Sequence, residues 1–298
     1  MGKQVIRITL LSLLLCPLAL AQTVEAPGSP QPVYLEPVDN TLQSKAATPV
    51  MLDGRENSCS TADSVLLDMV VRDHDGHHPH QVPVWQVPDG QIFFFVSGMT
   101  IDADGAPNAY SPDDGGLDEL ANAGSPARWE GIVTDRDGNP LIQQAGDPFP
   151  GYYISCTSLV DKAKSFTDPT RYVDATKIPY VVLPHGLADR AGARLGDFAI
   201  VTNLRNGKSS FAIYADIGTL GEGSIALADA LGIRSDARRG GAADGILYLL
   251  FPGSGNLRPR ALDEIQIEGE KLLSDFGGMK NLYPCAENDD SASPIESF

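Results

Sequence analysis

Two acidic residues, Asp216 and Glu222, lie close together in the segment 211–233, FAIYADIGTLGEGSIALADALGI. Residues 211–214 are predicted to form a strand and residues 224–231 a short helix, and glycine-rich turns connect the two. A loop held between a strand and a helix can fix two carboxyl groups for general acid/base catalysis. The alternative is a solvated polar turn, because Asp and Gly are common turn residues.

The elements around this loop are short. The pair Asn206-Gly207 predicts a β-hairpin between strands at 197–202 and 211–214. Further strands are predicted at 131–134, 152–157, 180–183 and 245–251, with two more in 82–99 and a second helix over 263–273. Many short strands with few helices favour a mainly β fold, a barrel or sandwich with inserted loops.

The composition excludes some classes of function. The chain has 298 residues, a formal net charge of −17 and 42% hydrophobic residues. The acidic balance argues against a nucleic-acid binder, which needs basic surface. It suits a cationic partner, although solubility alone also explains it.

The chain divides into four segments. Residues 1–21 are predicted to be a secretory signal peptide, because Lys3 and Arg7 precede an apolar run and an Ala-Leu-Ala cleavage site. Residues 22–80 are predicted to be a Pro/Ser/Thr-rich linker or arm, residues 81–278 the catalytic domain and residues 279–298 an acidic tail. No second stretch is long enough to span a membrane, so we expect a secreted, extracellular monomer with no membrane partner.

The cysteines and histidines add two smaller hypotheses. Cys59, Cys156 and Cys285 remain after signal cleavage, so one pair can bridge: Cys59 with Cys285 would join the two ends of the domain and leave Cys156 as a buried thiol. The segment 73–80, DHDGHHPH, holds four of the five histidines. Its spacing matches no regular ligand pattern, so a polar turn is favoured over a metal site, and no metal or cofactor is expected.

Two resemblances cover the predicted barrel. The segments 201–208 (VTNLRNGK), 216–218 (DIG) and 230–233 (ALGI) resemble the core of double-psi β-barrels such as expansins, some lytic transglycosylases and one group of cellulases. From about residue 82 to 278 the chain resembles the glycoside hydrolase family 75 chitosanases. The segments that carry the second resemblance are 97–110 (SGMTIDADGAPNAY), 150–155 (PGYYIS), 171–174 (RYVD), 178–184 (IPYVVLP), 214–218 (YADIG), 221–224 (GEGS) and 251–255 (FPGSG).

The second resemblance implies a six-stranded double-psi β-barrel-like core and an endo-acting hydrolase that cleaves chitosan with inversion. The catalytic Asp and Glu of the family carry over onto Asp216, as acid, and Glu222, as base, although the opposite assignment stays open because environment sets each pKa. Family loops often read D-x-G-P with more residues before the Glu, whereas Thr219 follows Gly218 here.

Chitosan is cationic, so carboxylates lining a cleft would bind its ammonium groups, and aromatic rings would stack on its sugars. A calcium loop at 102–105 and ordinary loop solvation are the alternatives for the acidic residues, and core packing is the alternative for the rings. The candidates for substrate binding are Asp102, Asp104, Tyr110, Asp113, Asp114, Asp135, Trp85, Trp129 and Tyr214.

The sequence is also compatible with two other functions. One is cleavage of another polysaccharide, peptidoglycan or glucan, and a neutral glucan would need few carboxylates. The other is a non-catalytic wall-binding module, which can dispense with Glu222.

Overall fold

The computed structural model describes residues 65–72, 79–87, 92–126 and 128–277 of the chain. Within these ranges the fold is mainly β, with three helices. The strands are β1 (Val65–Arg72), β2 (Pro79–Gln86), β3 (Phe93–Asp102), β4 (Gly124–Ser125), β5 (Arg128–Trp129), β6 (Tyr180–Leu183), β7 (Phe198–Asn203), β8 (Ser209–Ile217), β9 (Glu222–Ser224) and β10 (Ala242–Phe251). The helices are α1 (His185–Ala191), α2 (Ile225–Ala230) and α3 (Leu262–Phe276).

Six strands close into a barrel. The main sheet runs β1-β2-β3-β10-β7-β8-β6-β9, and β9 also pairs with β3, which closes the ring from β3 to β9. The pairs β6–β8 and β3–β9 are parallel, and the remaining barrel pairs are antiparallel. The predicted six-stranded, double-psi-like barrel with inserted loops is confirmed.

Successive side chains of a strand point to opposite faces, so alternate residues of the strands contribute to two different hydrophobic clusters. On β10, Tyr248 and Leu250 belong to one cluster, and Leu247 and Leu249 belong to the other. The second cluster also includes Ile265 of α3 and much of the long segment between β3 and β6. The inserted segment and α3 pack against the face that the second cluster occupies, so this cluster covers the outer face of the barrel, whereas residues of α1 and α2 join the first cluster.

Local chemistry explains the elements next to the acidic loop. The N–H of Asn203 donates to the carbonyl of Lys208 at 2.8 Å, and Gly207 adopts the positive φ of 73° that closes the predicted hairpin. The Ser224 hydroxyl accepts from the N–H of Leu227 at 3.1 Å and so caps the start of α2.

The structure differs from the sequence prediction at several points. Residues 131–134 and 152–157 form only isolated bridges, such as Ile132 with Ser155, rather than strands. Helix α1 and strand β9 had no predicted counterpart, and β1 extends the sheet into the predicted arm. No described helix is long and apolar enough to cross a membrane.

Cys156 is disulfide-bonded, so the hypothesis of a free thiol at this position is wrong. Its partner lies outside the described residues, because Cys156 is the only cysteine within them. The predicted signal peptide, the histidine-rich segment up to residue 78, Cys59, Cys285 and the acidic tail also lie outside the described residues.

The central position of β10 generates a stability prediction. Leu249 is 0% exposed and lies between β3 and β7, so Leu249→Ala is expected to lower the free energy of unfolding by about 2–5 kcal/mol. Urea unfolding followed by tryptophan fluorescence measures it. Ile267→Ala is the control, since Ile267 on α3 is 64% exposed and its truncation should be nearly neutral. Equal losses in the two variants would contradict the role of β10 as a core strand.

Candidate active site

The sheet register places Asp216 and Glu222 in one row across the barrel. Val182 of β6 is paired with Asp216 on one side and with Glu222 on the other. Neighbouring strands are about 4.8 Å apart, so the backbones of the two acidic residues are about 10 Å apart. Val182 contributes to the outer cluster, and residues paired across a sheet share a face. Both carboxyl groups therefore lie on the outer face of the barrel, where the long inserted segment packs.

The connection between these residues is tightly shaped. Gly221 has a φ of 84°, and a Cβ there would lie 2.8 Å from Ser97 Oγ, so the close passage of this loop over β3 favours glycine. A Cβ on Gly218 would lie 2.7 Å from Glu222 Oε2. The Glu222 carboxylate thus bends back over Gly218, and its Oε2 accepts from the N–H of Thr219 at 2.8 Å.

Asp216 accepts three hydrogen bonds on a single oxygen, and two of them come from the inserted segment. The hydroxyl and the N–H of Ser158 donate to Oδ1 at 2.6 and 3.0 Å, and the N–H of Ile217 donates to the same atom at 2.8 Å. Hydrogen bonds donated to a carboxylate favour its ionised form. Ser158 is therefore both a positioning group and an electrostatic partner of Asp216.

Asp102 and Asp104 extend the acidic site from the end of β3. The N–H of Asp104 donates to Asp102 Oδ1 at 2.7 Å. The Tyr110 hydroxyl donates to Asp104 Oδ1 at 2.7 Å and lies 3.5 Å from Asp118 Oδ2, while the Tyr180 hydroxyl donates to the Asp104 carbonyl at 3.0 Å. We refer to Asp102, Asp104, Asp118, Asp216 and Glu222 as the carboxyl cluster.

Burial dominates the electrostatics of the carboxyl cluster. It raises the pKa of Asp216 to about 6, against the hydrogen bonds from Ser158 and Ile217, and raises the pKa of Glu222 to about 7, against the hydrogen bonds from the backbone and the side chain of Thr219. Burial also holds the pKa values of Asp102 and Asp104 well above their usual range, and the charges of neighbouring carboxylates raise both further. Strongly perturbed carboxyls beside one another are typical of functional sites.

Cationic side chains have little effect on the pKa values of the carboxyl cluster. Among the described residues, no salt bridge involves Asp102, Asp104, Asp216 or Glu222. Arg238 lies at the edge, where it donates to the Asp118 carbonyl at 2.9 Å; burial raises the pKa of the Asp118 side chain, and the charge of Arg238 opposes that rise only in part. The site is thus acidic, and four of its five carboxyl groups have no cationic partner among the described residues. Within the described ranges, no group of three or more His, Cys, Asp or Glu side chains is arranged to hold a metal ion.

Several residues predicted to bind substrate lie elsewhere. Asp135 organises an exposed turn, in which its Oδ1 accepts from the N–H groups of Asp137 and Asn139. Tyr214 is only 2% exposed inside the barrel, and Trp129 is 9% exposed against the inserted segment, so the structure does not support sugar stacking by either ring. Asp113 and Asp114 lie in an outer loop, where Asp114 pairs with Arg238.

The structure brings together Asp216, Glu222, Asp102 and Asp104, with Tyr110 bonded to Asp104, and it adds residues that the sequence analysis missed. Asp118 continues the acidic stretch that contains Asp102, so its charge was a usable signal. Ser158 and Tyr180 carried no signal, because each reaches the site through contacts with residues distant in the chain, such as Asp216, 58 positions from Ser158.

A comparison with family models matches residues 99–273 to the fungal chitosanases of glycosyl hydrolase group 75. This match spans more than half of the chain. The chain belongs to glycoside hydrolase family 75. The matched region begins in β3 and ends in α3, so it includes every member of the carboxyl cluster. A search of curated proteins finds no match. Family 75 membership makes the protein a glycosidase and makes a polysaccharide its class of substrate.

The contact from Ser158 generates a prediction about the ionisation of Asp216. Ser158→Ala removes one hydrogen bond to the carboxylate and keeps the backbone one. The pKa of Asp216 should therefore rise, by roughly one pH unit, as expected for the loss of a hydrogen bond to a charged group. Carbon-13 NMR titration of labelled aspartates measures it. Ser165→Ala, in the same segment but bonded only to Thr167, is the control. An unchanged or lower pKa would contradict the proposed hydrogen-bond effect.

Proposed function

We propose that the protein is an endo-chitosanase that hydrolyses β-1,4 glucosaminidic bonds with inversion, using Asp216 and Glu222. The observation that carries the proposal is the row Asp216–Val182–Glu222 beside further carboxyl groups without cationic partners. Inverting glycosidases hold their two carboxyls roughly 6.5–9.5 Å apart, and retaining ones about 5–5.5 Å. The two-strand separation of about 10 Å between backbones supports the wider arrangement.

The hydrogen bonds support the reverse of the roles first assigned from the sequence. Asp216 accepts three hydrogen bonds and has the lower pKa, which suits the ionised base. Glu222 is hydrogen-bonded by Thr219, through the backbone N–H at 2.8 Å and through the side chain, and has the higher pKa, which suits the protonated acid. We therefore assign Glu222 as the acid and Asp216 as the base.

In the reaction, Glu222 gives its proton to the glycosidic oxygen as the bond from that oxygen to the anomeric carbon breaks. A water molecule attacks the anomeric carbon from the opposite face, and its proton passes to Asp216. Activity should fall as the pH drops through about 6, where Asp216 becomes protonated, and as it rises through about 7, where Glu222 loses its proton.

The cluster carboxylates Asp102 and Asp104 are the proposed partners of the substrate's ammonium groups. Both lie beside the pair and lack salt-bridge partners among the described residues. An ammonium group bound there would offset the burial and the charges of neighbouring carboxylates, which together raise their pKa values. The proposed location is extracellular: the disulfide at Cys156 supports an oxidising compartment, as the predicted signal peptide also implies.

The paired roles generate a prediction for two isosteric variants. Asp216→Asn and Glu222→Gln should each lower turnover on chitosan at least about 10²-fold, because neither amide can exchange a proton. An aryl glucosaminide with a good leaving group needs no acid, so it should restore much of the activity of Glu222→Gln and none of that of Asp216→Asn.

Reducing-end release and circular dichroism provide the measurement and the folding control for these variants. Asp135→Asn is the matched control, because Asp135 lies in an exposed turn outside the cluster. Wild-type turnover by either folded variant would remove that residue from the mechanism. Restoration in Asp216→Asn instead would exchange the two roles.

The acidic surface generates a prediction about substrate charge. Rates should fall with added salt and with increasing acetylation, since both weaken the attraction between carboxylates and ammonium groups. Chitosans of graded acetylation, carboxymethyl cellulose and peptidoglycan should be assayed side by side by reducing-end release. Equal rates on chitosan and fully acetylated chitin would contradict glucosamine recognition, and preference for either of the other polymers would replace the proposed substrate.

A further inference from the structure

An exposed aromatic pair lies on the inserted segment, away from the carboxyl cluster. Phe149 is 41% exposed, and its ring centroid is 5.8 Å from that of Tyr152, at an interplanar angle of 67°. The large hydrophobic residues exposed in the described part of the chain are Ile142, Phe149, Leu257 and Ile267. Two of these, Ile142 and Phe149, lie in the inserted segment, where Ile142 is bridged to Tyr153 and Phe149 packs against Tyr152.

A buried glutamine fixes the loop that carries Phe149. Gln143 is 2% exposed, and its Oε1 accepts from the N–H of Phe149 at 3.0 Å. Its Nε2 donates to the carbonyls of Pro107 and Tyr153 at 2.5 and 3.0 Å. These hydrogen bonds hold the loop that carries Phe149 against the backbone at Pro107 and Tyr153. An aromatic side chain presented by a preorganised loop loses little conformational entropy when a ligand binds.

The same contacts join this loop to the carboxyl cluster. The N–H of Tyr153 donates to the carbonyl of Tyr110 at 3.0 Å, and the N–H of Gly105 donates to Ser155 Oγ at 3.0 Å. Tyr110 and Gly105 belong to the stretch that bears Asp104. From Ser155 to Tyr152 the chain advances three residues, or about 10 Å if extended. The aromatic pair therefore lies on the surface within a short length of polysaccharide chain from the cluster.

We propose that Phe149 and Tyr152 form a sugar-binding subsite that stacks on a glucosamine ring of the polymer beyond the bond-cleaving centre. A pyranose ring has an apolar face of C–H groups and polar groups around its edge, so an exposed aromatic ring matches the face. Carboxylates bind the ammonium groups of the substrate near the bond-cleaving centre, and the aromatic pair binds the polysaccharide further from it. The identity of the sugar rests on the proposed function. The existence of the subsite rests on the exposed ring of Phe149 and on the hydrogen bonds that fix its loop.

Binding can be separated from cleavage in the Glu222→Gln background. Isothermal titration calorimetry of glucosamine disaccharide and hexasaccharide is the measurement. Phe149→Ala should weaken hexasaccharide binding roughly 10-fold, the loss expected for one aromatic contact, and leave disaccharide binding unchanged, because the shorter ligand does not reach the loop. Phe149→Tyr keeps a ring and should bind like the parent. Ile267→Ala, which removes an exposed side chain from α3, should change neither affinity.

The outcomes distinguish the subsite from the proposed function. Unchanged hexasaccharide affinity in Phe149→Ala would overturn the subsite, and so would equal weakening of both ligands. If the wild-type protein fails to cleave chitosan while the expected affinities are observed, the proposed function fails and the subsite stands. If the protein binds neither glucosamine oligomer, the subsite as proposed is overturned, and the exposed pair becomes a candidate contact for another protein.

Discussion

Hydrogen bonds, rather than cations, hold the buried carboxyl groups of this site. Desolvation raises each pKa, and only donors such as Ser158 Oγ and the N–H groups of Ile217 and Thr219 oppose it. Backbone and side-chain donors share this role, so the protonation state of each carboxyl depends on where the sheet and the inserted segment place Ser158, Ile217 and Thr219.

The same burial costs stability at neutral pH. Asp102, Asp104, Asp216 and Glu222 all have folded-state pKa values raised above those of the unfolded chain. The folded state therefore holds protons that the unfolded state releases. For Asp216 and Glu222 this contribution to stability is fully present below about pH 4 and is lost as the pH rises through about 6 and about 7. Burial of the two hydrophobic clusters offsets that loss.

Local signals in the sequence were sufficient for some elements and insufficient for others. The hairpin at Asn206-Gly207, β6 and the α2 cap follow from residues within a few positions of each other, and each was predictable. Strand β9 was not, because three residues become a strand only by pairing with β3 and β6. Ser158 was missed for the same reason. Trp129 and Tyr214 show the opposite failure, since an aromatic residue looks the same in a sequence whether its ring faces sugar or core.

The pairing of the barrel strands, rather than the length of the connecting loop, sets the separation of the two carboxylates. Related loops often place more residues between the Asp and the Glu, whereas five residues separate them here. The separation is set elsewhere: Glu222 begins β9 and is paired with Val182, while Asp216 is paired with Val182 from the other side. Two strand spacings fix the distance, and the loop has only to span it. Gly221, with its positive φ and its close approach to Ser97, lets a short loop do so. Loop length can therefore vary around such a centre without changing its geometry, provided that the register of β6, β8 and β9 is kept.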